Sequence, residues 1–232
     1  MSAREPRDPL AEVEDPFAAE LRTMALTERH RPVESWSPSP TRAAVSRRHW
    51  GALVAALLVD SALLLAMGVR PDLGAVSHPA LGLAIGAPLA GAVIALRASS
   101  ARGGLGVGTS PSWVLGSLLL ALGAFALSAL PHAHMVQEPG AHFVDATAAC
   151  IMGTALLTVG PLTLGVAAFR RAFASSALLR TAALGAASGA FAAAAMALRC
   201  GIDGRAHVWI GHGTFIVAGA GIGAVLSRWT RA

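Results

Sequence analysis

Six long apolar runs, nearly free of charge, dominate the chain from Trp50 onward. Each is close to the ~20 residues that an α-helix needs to cross about 30 Å of hydrocarbon. Buried helices of a soluble bundle would show polar faces, which these runs lack. The pattern therefore predicts an all-α integral membrane protein, a bundle of six transmembrane helices within residues 50–229. The predicted spans are Trp50–Val69, Pro79–Leu96, Trp113–Leu130, Ala146–Phe169, Leu178–Leu198 and Val208–Ser227.

Residues 1–49, here called the arm, have a different pattern. Eight Arg and eight acidic residues balance one another there, and six prolines interrupt the segment. Such a segment has too little apolar surface to offset the loss of chain entropy on folding. The arm is therefore predicted to be largely disordered on its own, as a unit separate from the membrane domain.

One part of the arm nevertheless has helical spacing. Asp15 suits an N-cap and Pro16 the first helical position. Three apolar residues then recur at i, i+4 and i+7 on one face, with a fourth close behind. A helix of about fifteen residues is marginal in isolation, so this one is expected to fold on a partner. The residues expected to bind that partner are Phe17, Leu21, Met24 and Leu26.

Arginine is distributed unequally between the two sides of the predicted bundle. One side carries only Arg70, Arg199 and Arg205. Positively charged connections stay in the cytoplasm, so the other side, with the arm and both termini, is predicted to be cytoplasmic. Four tryptophans fall at predicted membrane boundaries, where aromatic residues concentrate. The arginines of the richer side are Arg42, Arg47, Arg48, Arg97, Arg102, Arg170, Arg171, Arg180, Arg228 and Arg231, and the tryptophans are Trp50, Trp113, Trp209 and Trp229.

Composition supports a membrane protein and argues against a nucleic-acid-binding one. The chain is 54% hydrophobic and 13% charged, whereas soluble domains carry about 25% charged residues. The net charge of +5 comes from arginines placed singly or in pairs at the ends of apolar runs. A basic nucleic-acid-binding face would cluster them, so no direct contact with nucleic acid is expected.

Small residues are expected to set how closely the helices pack. Glycines four residues apart let two helices approach each other closely in a membrane. Three such pairs occur within the predicted spans, and packing is a far better explanation for them than phosphate binding. The pairs are Gly82 with Gly86, Gly185 with Gly189, and Gly219 with Gly223.

Both cysteines and most histidines are expected on the side opposite the arm. Cys150 lies about one turn inside the fourth predicted helix, Cys200 ends the fifth, and His207 and His212 open the sixth. Thiolate and imidazole together suit zinc, cadmium and copper. Two thiols in an oxidising compartment can instead form a disulfide. A third interpretation also remains: the cysteines are small apolar residues in Ala-rich helices, and the histidines are simply solvated.

The spacing of His207 and His212 argues against a simple two-histidine motif. Five residues correspond to about 140° around an α-helix, so the two rings would not share a face. Helical metal sites use histidines at i and i+4. Ligands would therefore have to converge from different helices.

Asp60 is the one acidic residue in the middle of a predicted span. A charge there costs about 2.5–3.5 kcal/mol on insertion scales, so Asp60 is expected to be protonated, paired or turned towards the bundle interior. One interpretation is a transport or proton-relay site. The other is a hydrogen bond to Ser or Thr on a neighbouring helix.

No residue pattern indicates catalysis, because Ser/His/Asp order, paired carboxylates, HExxH and CxxC are all lacking. An enzyme is therefore not expected, and no resident cofactor is expected beyond a transient heavy-metal ion at Cys150 and Cys200. Three functions remain open: a signalling protein that sequesters a partner through the arm, a small transporter using Asp60 and the His/Cys layer, and a metal- or haem-binding redox protein. Only the first needs an amphipathic cytoplasmic segment.

The C-terminal half, from Ala149 to Trp229, resembles a known family. It contains Ala-Cys-Ile-Met-Gly at 149–153, Ala-Leu-Arg-Cys at 197–200, Gly-Arg-Ala-His-Val-Trp-Ile-Gly-His at 204–212 and Arg-Trp at 228–229. These landmarks are similar to those of the NrsF-type six-helix membrane anti-sigma factors, negative regulators of extracytoplasmic-function sigma factors. The first three helices agree in number and length only.

The resemblance implies a specific function in the bacterial inner membrane. The arm would bind a sigma factor and hold it away from RNA polymerase. Cys150 and Cys200 would face the periplasm, sense heavy-metal or oxidative stress and trigger release, with His207 and His212 at family-like positions. The arm is longer and richer in proline than the family pattern suggests, so its contact residues rest on the helical spacing alone.

Overall fold

The computed structural model describes residues 42–100, 110–130, 143–169, 176–202 and 204–230. Within these ranges every regular element is helical, and six helices are long and apolar enough to cross a membrane. The predicted all-α architecture with six candidate spans is therefore confirmed. The arm up to residue 41 lies outside the described residues, so its predicted helix stays a prediction.

The helices follow the predicted spans closely. They are α1 (Arg42–Met67), α2 (His78–Ser100), α3 (Pro111–Ser128), α4 (Phe143–Phe169) and α5 (Ala177–Arg199). The sixth, α6, is continuous but composite: a turn at Arg205–His207, a π-helical segment at Val208–Gly213 and an α-helix at Thr214–Leu226. Short 3-10 turns lie at Leu73–Ala75 and Ser227–Thr230.

Two helix starts show what hydropathy alone can miss. Helix α1 begins at Arg42, not at Trp50, because a polar but helix-compatible segment precedes the apolar run. Helix α3 begins with Ser110 as its N-cap and Pro111 in the first turn, and the Ser110 hydroxyl accepts a hydrogen bond from the backbone N–H of Trp113.

Helix α5 forms the centre of the bundle. In its candidate span 83% of the residues are buried, against 11% in α1. It packs on α6, α2, α4 and α3. A Cβ atom at any of four glycines would collide with backbone across the α5–α6 contact, so these two helices approach as closely as small residues allow. These glycines are Gly185, Gly189, Gly219 and Gly223.

The remaining predicted pair, Gly82 with Gly86, does not pack in this way. A Cβ at Gly82 or Gly86 would have no described neighbour within 4 Å. The prediction that this pair mediates close helix packing is therefore wrong for the described contacts. The reason is that Gly82 and Gly86 lie on an exposed part of α2.

Helix α1 lies at the edge of the bundle. Its large apolar side chains are mostly exposed, as expected for a surface that faces lipid, and Leu65 is 74% exposed. Asp60 is the exception, with only 2% of its surface exposed. The four tryptophans of the predicted belt are all exposed and lie at or beside the ends of candidate spans: Trp50, Trp113, Trp209 and Trp229.

Candidate functional site

Four buried side chains meet at the end of the bundle where α1 ends. Their possible ligand atoms, two sulfurs and two imidazole nitrogens, all lie within 4.8 Å of one another. One residue comes from α4, one from the end of α5 and two from α6. We call this group the Cys/His cluster: Cys150, Cys200, His207 and His212.

The end of α5 places Cys200 against His207. Cys200 is the C-cap of α5, and its extended backbone turns the chain out of the helix. A short connection then reverses direction, and α6 begins at Arg205. As a result the Cys200 sulfur lies 3.1 Å from Nε2 of His207, only seven residues later.

The π-helical segment places His212 beside His207. In a π-helix the backbone hydrogen bonds join residues i and i+5, so residues five apart overlie one another. The two rings lie 5.6 Å apart between centroids, at 80°. The prediction that His207 and His212 could not share a face is therefore wrong, because it assumed α-helical geometry throughout. The convergence of ligands from different helices, which was also expected, is observed.

Gly211 leaves room for the cluster. A Cβ at this position would lie 3.2 Å from Cβ of Cys150 and 3.5 Å from Nε2 of His207. Thr154 of α4 holds Cys150 and Gly211 close together. Its hydroxyl lies 2.7 Å from the carbonyl oxygen of Cys150 and 2.8 Å from the carbonyl oxygen of Gly211. The hydroxyl thereby joins α4 to a carbonyl of the π-helical segment.

Thr147 orients the ring of His207. Its hydroxyl oxygen lies 3.0 Å from Nδ1 of His207, on the ring side opposite Cys200. When Nδ1 donates its proton to that oxygen, Nε2 keeps a lone pair directed at the cluster, as outer hydrogen bonds do for metal-bound histidines. Sequence reasoning missed both threonines. A signal was present, because Thr147 and Thr154 lie at i−3 and i+4 from Cys150, on one helical face.

The distances in the Cys/His cluster suit a metal better than a formed disulfide. The two sulfurs lie 3.4 Å apart and both cysteines are free, whereas a disulfide bond is about 2.0 Å long. Two thiolates on tetrahedral zinc, each about 2.3 Å from the metal, would be roughly 3.8 Å apart. In addition, Nε2 of His212 is buried and has no hydrogen-bond partner among the described residues. A bound soft cation would satisfy that nitrogen.

The outer end of α1 packs against the apolar residues that surround both cysteines of the Cys/His cluster. Leu63 and Met67 of α1 belong to the same apolar group as Cys150, Cys200 and Met196. Two hydrogen bonds then join the segment after α1 to the end of α5. The N–H of Arg70 donates to the carbonyl of Leu198 at 3.0 Å, and Nη1 of Arg199 donates to that of Gly68 at 3.4 Å.

Arg70 also forms a two-pronged ion pair with Asp72, with both nitrogen–oxygen distances at 2.7 Å. These hydrogen bonds hold the pKa of the Asp72 carboxyl below its ordinary value. The carboxylate therefore stays ionised over the physiological range, and the pair adds no net charge to this end of the bundle.

Asp60 is not part of the Cys/His cluster. It lies seven residues before Met67, about 10 Å along α1, and its Oδ1 is close to Gly160 of α4. Neither carboxyl oxygen has a hydrogen-bond partner among the described residues, so the expected bond to Ser or Thr is not observed there. The expectation that Asp60 faces the bundle interior agrees with its burial.

Other predicted residues stay outside the site. His78 begins α2 and is exposed. His132, His134 and His142 lie outside the described residues, as do the expected partner-binding residues Phe17, Leu21, Met24 and Leu26.

Comparison with known proteins identifies the family. Neither curated proteins nor solved structures give a match. A family model described as NrsF, negative regulator of sigma F, matches residues 34–231, which include all six helices and the whole Cys/His cluster. Families of this kind are regulatory and not enzymatic, and their partner is a sigma factor. The chain therefore belongs to the NrsF family of membrane-embedded negative regulators of sigma factors.

Proposed function

We propose that this protein is an anti-sigma factor of the bacterial inner membrane that holds its sigma factor through the arm and releases it when the Cys/His cluster changes state. The observation that carries the proposal is the convergence of two thiols and two imidazoles within 4.8 Å in a buried site. The family supplies the regulatory role and the class of partner. An extracytoplasmic-function sigma factor is the partner we expect.

The orientation follows from the charges. The arginine-rich side is cytoplasmic, so the arm lies where a sigma factor is found. Helix α1 has 26 residues, about 39 Å at 1.5 Å per residue, and the Cys/His cluster lies beside its far end. The cluster then faces the periplasm, from which metals and oxidants arrive. Both termini are cytoplasmic in this arrangement.

The chemical event at the cluster is binding of a soft cation such as Cd²⁺ or Zn²⁺, for which Cys150, Cys200, His207 and His212 would be the ligands. When bound, the cation supplies a positive centre that draws the two thiols into their thiolate forms and fixes both imidazoles. Thiol oxidation is the competing trigger. The sulfur–sulfur distance of 3.4 Å would have to shorten to about 2.0 Å for that bond to form.

Helix α1 is the element that would carry the change to the arm. It is mostly exposed along its length, yet its outer end packs, through Leu63 and Met67, against the apolar group that contains Cys150 and Cys200. A ligand shifts a two-state equilibrium only through different affinities for the two states. A cation that binds one arrangement about 10⁴-fold more tightly would move it from 1:99 to 99:1, which corresponds to about 5.5 kcal/mol.

Binding by the arm can be tested with the full-length protein. Co-purification with candidate sigma factors should succeed for the native chain and fail for the double variant Phe17→Ala with Leu21→Ala. Thr23→Ala, off the apolar face, is the matched control and should retain binding. If no sigma factor is retained by the native chain, or if the double variant retains one as well as the control does, the proposed role of the arm is wrong.

A further inference from the structure

A cavity of about 300 Å³ adjoins the Cys/His cluster. It lies among α2, α3, α5 and α6 and is bounded by the segment between α1 and α2. One of its lining residues is Asp72, whose side chain is 48% exposed. Its walls are mainly apolar, and its polar lining residues are Arg70, Asp72, Ser77, Ser128, Cys200 and His212.

The cavity contacts only half of the Cys/His cluster. Cys200 and His212 line it, whereas Cys150 and His207 do not. His212 is 4% exposed, and its Nε2 has no hydrogen-bond partner among the described residues. The side of the cluster that faces the cavity therefore consists of the Cys200 thiol and the His212 imidazole. On the side away from the cavity, Thr147 holds the ring of His207.

The volume of the cavity exceeds what a bare ion needs. Water occupies about 30 Å³ per molecule, so a divalent cation with six waters needs roughly 200 Å³. The hydroxyls of Ser77 and Ser128 and the carboxylate of Asp72 can hydrogen-bond to such waters. Because Asp72 is paired with Arg70, the rim has no strong net charge that would hold a cation there.

We propose that this cavity is an entry site for the hydrated soft cation that the cluster senses. A hydrated ion would pass through the cavity without being bound at its rim. Cys200, after losing its thiol proton to water, and His212 would replace the first of its water ligands. Cys150, likewise as the thiolate, and His207 would complete the coordination from the side away from the cavity. This inference rests on the proposed metal sensing but not on the sigma factor, so its tests use the purified protein alone.

The first test measures the two thiols separately with N-ethylmaleimide. In detergent-solubilised full-length protein, the Cys150→Ser variant leaves Cys200 as the reacting thiol, and Cys200→Ser leaves Cys150. Both cysteines are 8% exposed, but only Cys200 lines the cavity. Access through the cavity therefore predicts that Cys200 reacts faster by about tenfold or more, because reactivity depends on access of the reagent to the thiol. Equal rates, or faster labelling of Cys150, would overturn the entry site even if cadmium binding is normal.

The second test fills the cavity. Ala84 of α2 lines it, and Ala84→Phe should slow cadmium uptake about tenfold, since the phenyl ring would occupy space in the cavity beside Cys200 and His212. Uptake is followed by the cadmium–thiolate absorption band in a stopped-flow experiment. Ala90→Phe, at an exposed position of the same helix, is the control and should leave the rate unchanged. Unchanged uptake in Ala84→Phe contradicts the proposal; if that variant fails to fold, the labelling comparison decides.

If cadmium binds neither to the native protein nor to any variant, metal sensing is refuted. The proposal that a cation enters through the cavity is then refuted as well. Normal cadmium binding without sigma-factor binding would refute the role of the arm and leave the entry site standing. The two proposals therefore fail in different experiments.

Discussion

His207 and His212 lie edge to face across a single π-helical turn, with ring centroids 5.6 Å apart and ring planes at 80°. An uninterrupted α-helix would set residues at this spacing about 140° apart. The π-helical segment thus makes one helix contribute two side chains to the same buried site. Segments of this kind are frequent at functional sites in proteins.

The glycine inside that segment should be sensitive to substitution. In Gly211→Ala the new Cβ would lie 3.2 Å from Cβ of Cys150, so the π-helical segment must move away from α4. We expect cadmium affinity to fall about tenfold, as for other changes just outside a metal's ligands. Competition with a cadmium indicator measures it. Gly221→Ala, where a Cβ meets nothing within 4 Å, is the control, and equal losses in both variants would contradict the assignment.

Thr147 should act on metal binding through His207. Thr147→Val removes the hydroxyl near Nδ1 but keeps the size of the side chain. Cadmium affinity should decrease about 10- to 100-fold, and Thr147→Ser should restore most of it. Thr163→Val, which loses only bonds within its own helix on an exposed surface, should bind as the native protein does. A Thr147→Val variant with native affinity would show that the hydroxyl does not orient the ring.

Substitution of Asp60 distinguishes a regulatory protein from a transporter. Its carboxyl oxygens are buried without hydrogen-bond partners among the described residues, so Asp60→Leu should stabilise the protein by about 1–3 kcal/mol. A rise in the unfolding temperature in detergent, with unchanged response to cadmium in a reporter strain, is the expected result. Ser61→Leu, on the exposed side of α1, controls for added apolar volume. Loss of the response in Asp60→Leu alone would indicate that the carboxyl has a function.

The ion pair beside the Cys/His cluster should have a defined pH dependence. Arg70 lowers the pKa of Asp72 in the folded protein. The ion pair therefore contributes fully to stability above the unfolded-state pKa of about 3.9. This contribution is lost as the pH falls through the lower pKa of the folded state. Asp72→Asn should therefore unfold at a lower temperature than the native protein at pH 7. The difference should shrink on acidification below about pH 4. A difference that is constant with pH would mean that the pair is not stabilising.

The six candidate spans could be predicted because they depend on the length of apolar runs, which is local in sequence. The gathering of Cys150, Cys200, His207 and His212 could be predicted only as a shared layer, since the sequence does not reveal how α4, α5 and α6 are arranged. The π-helical segment was missed because backbone hydrogen-bond register has no hydropathy pattern. Sequence predicted close packing at Gly185 and Gly219 but also at Gly82, because the pairs share one spacing. Only the structure shows which glycines lie against a neighbouring helix.

We propose above all that the state of the Cys/His cluster controls whether the protein binds its sigma factor. The most direct measurement is the fraction of sigma factor bound to the full-length protein in liposomes, before and after cadmium reaches the side of the cluster. We predict that the native protein releases most of its sigma factor, whereas Cys200→Ser binds it equally well and retains it. A sigma factor that stays bound to the native protein while the cluster is loaded with cadmium would contradict metal-triggered release.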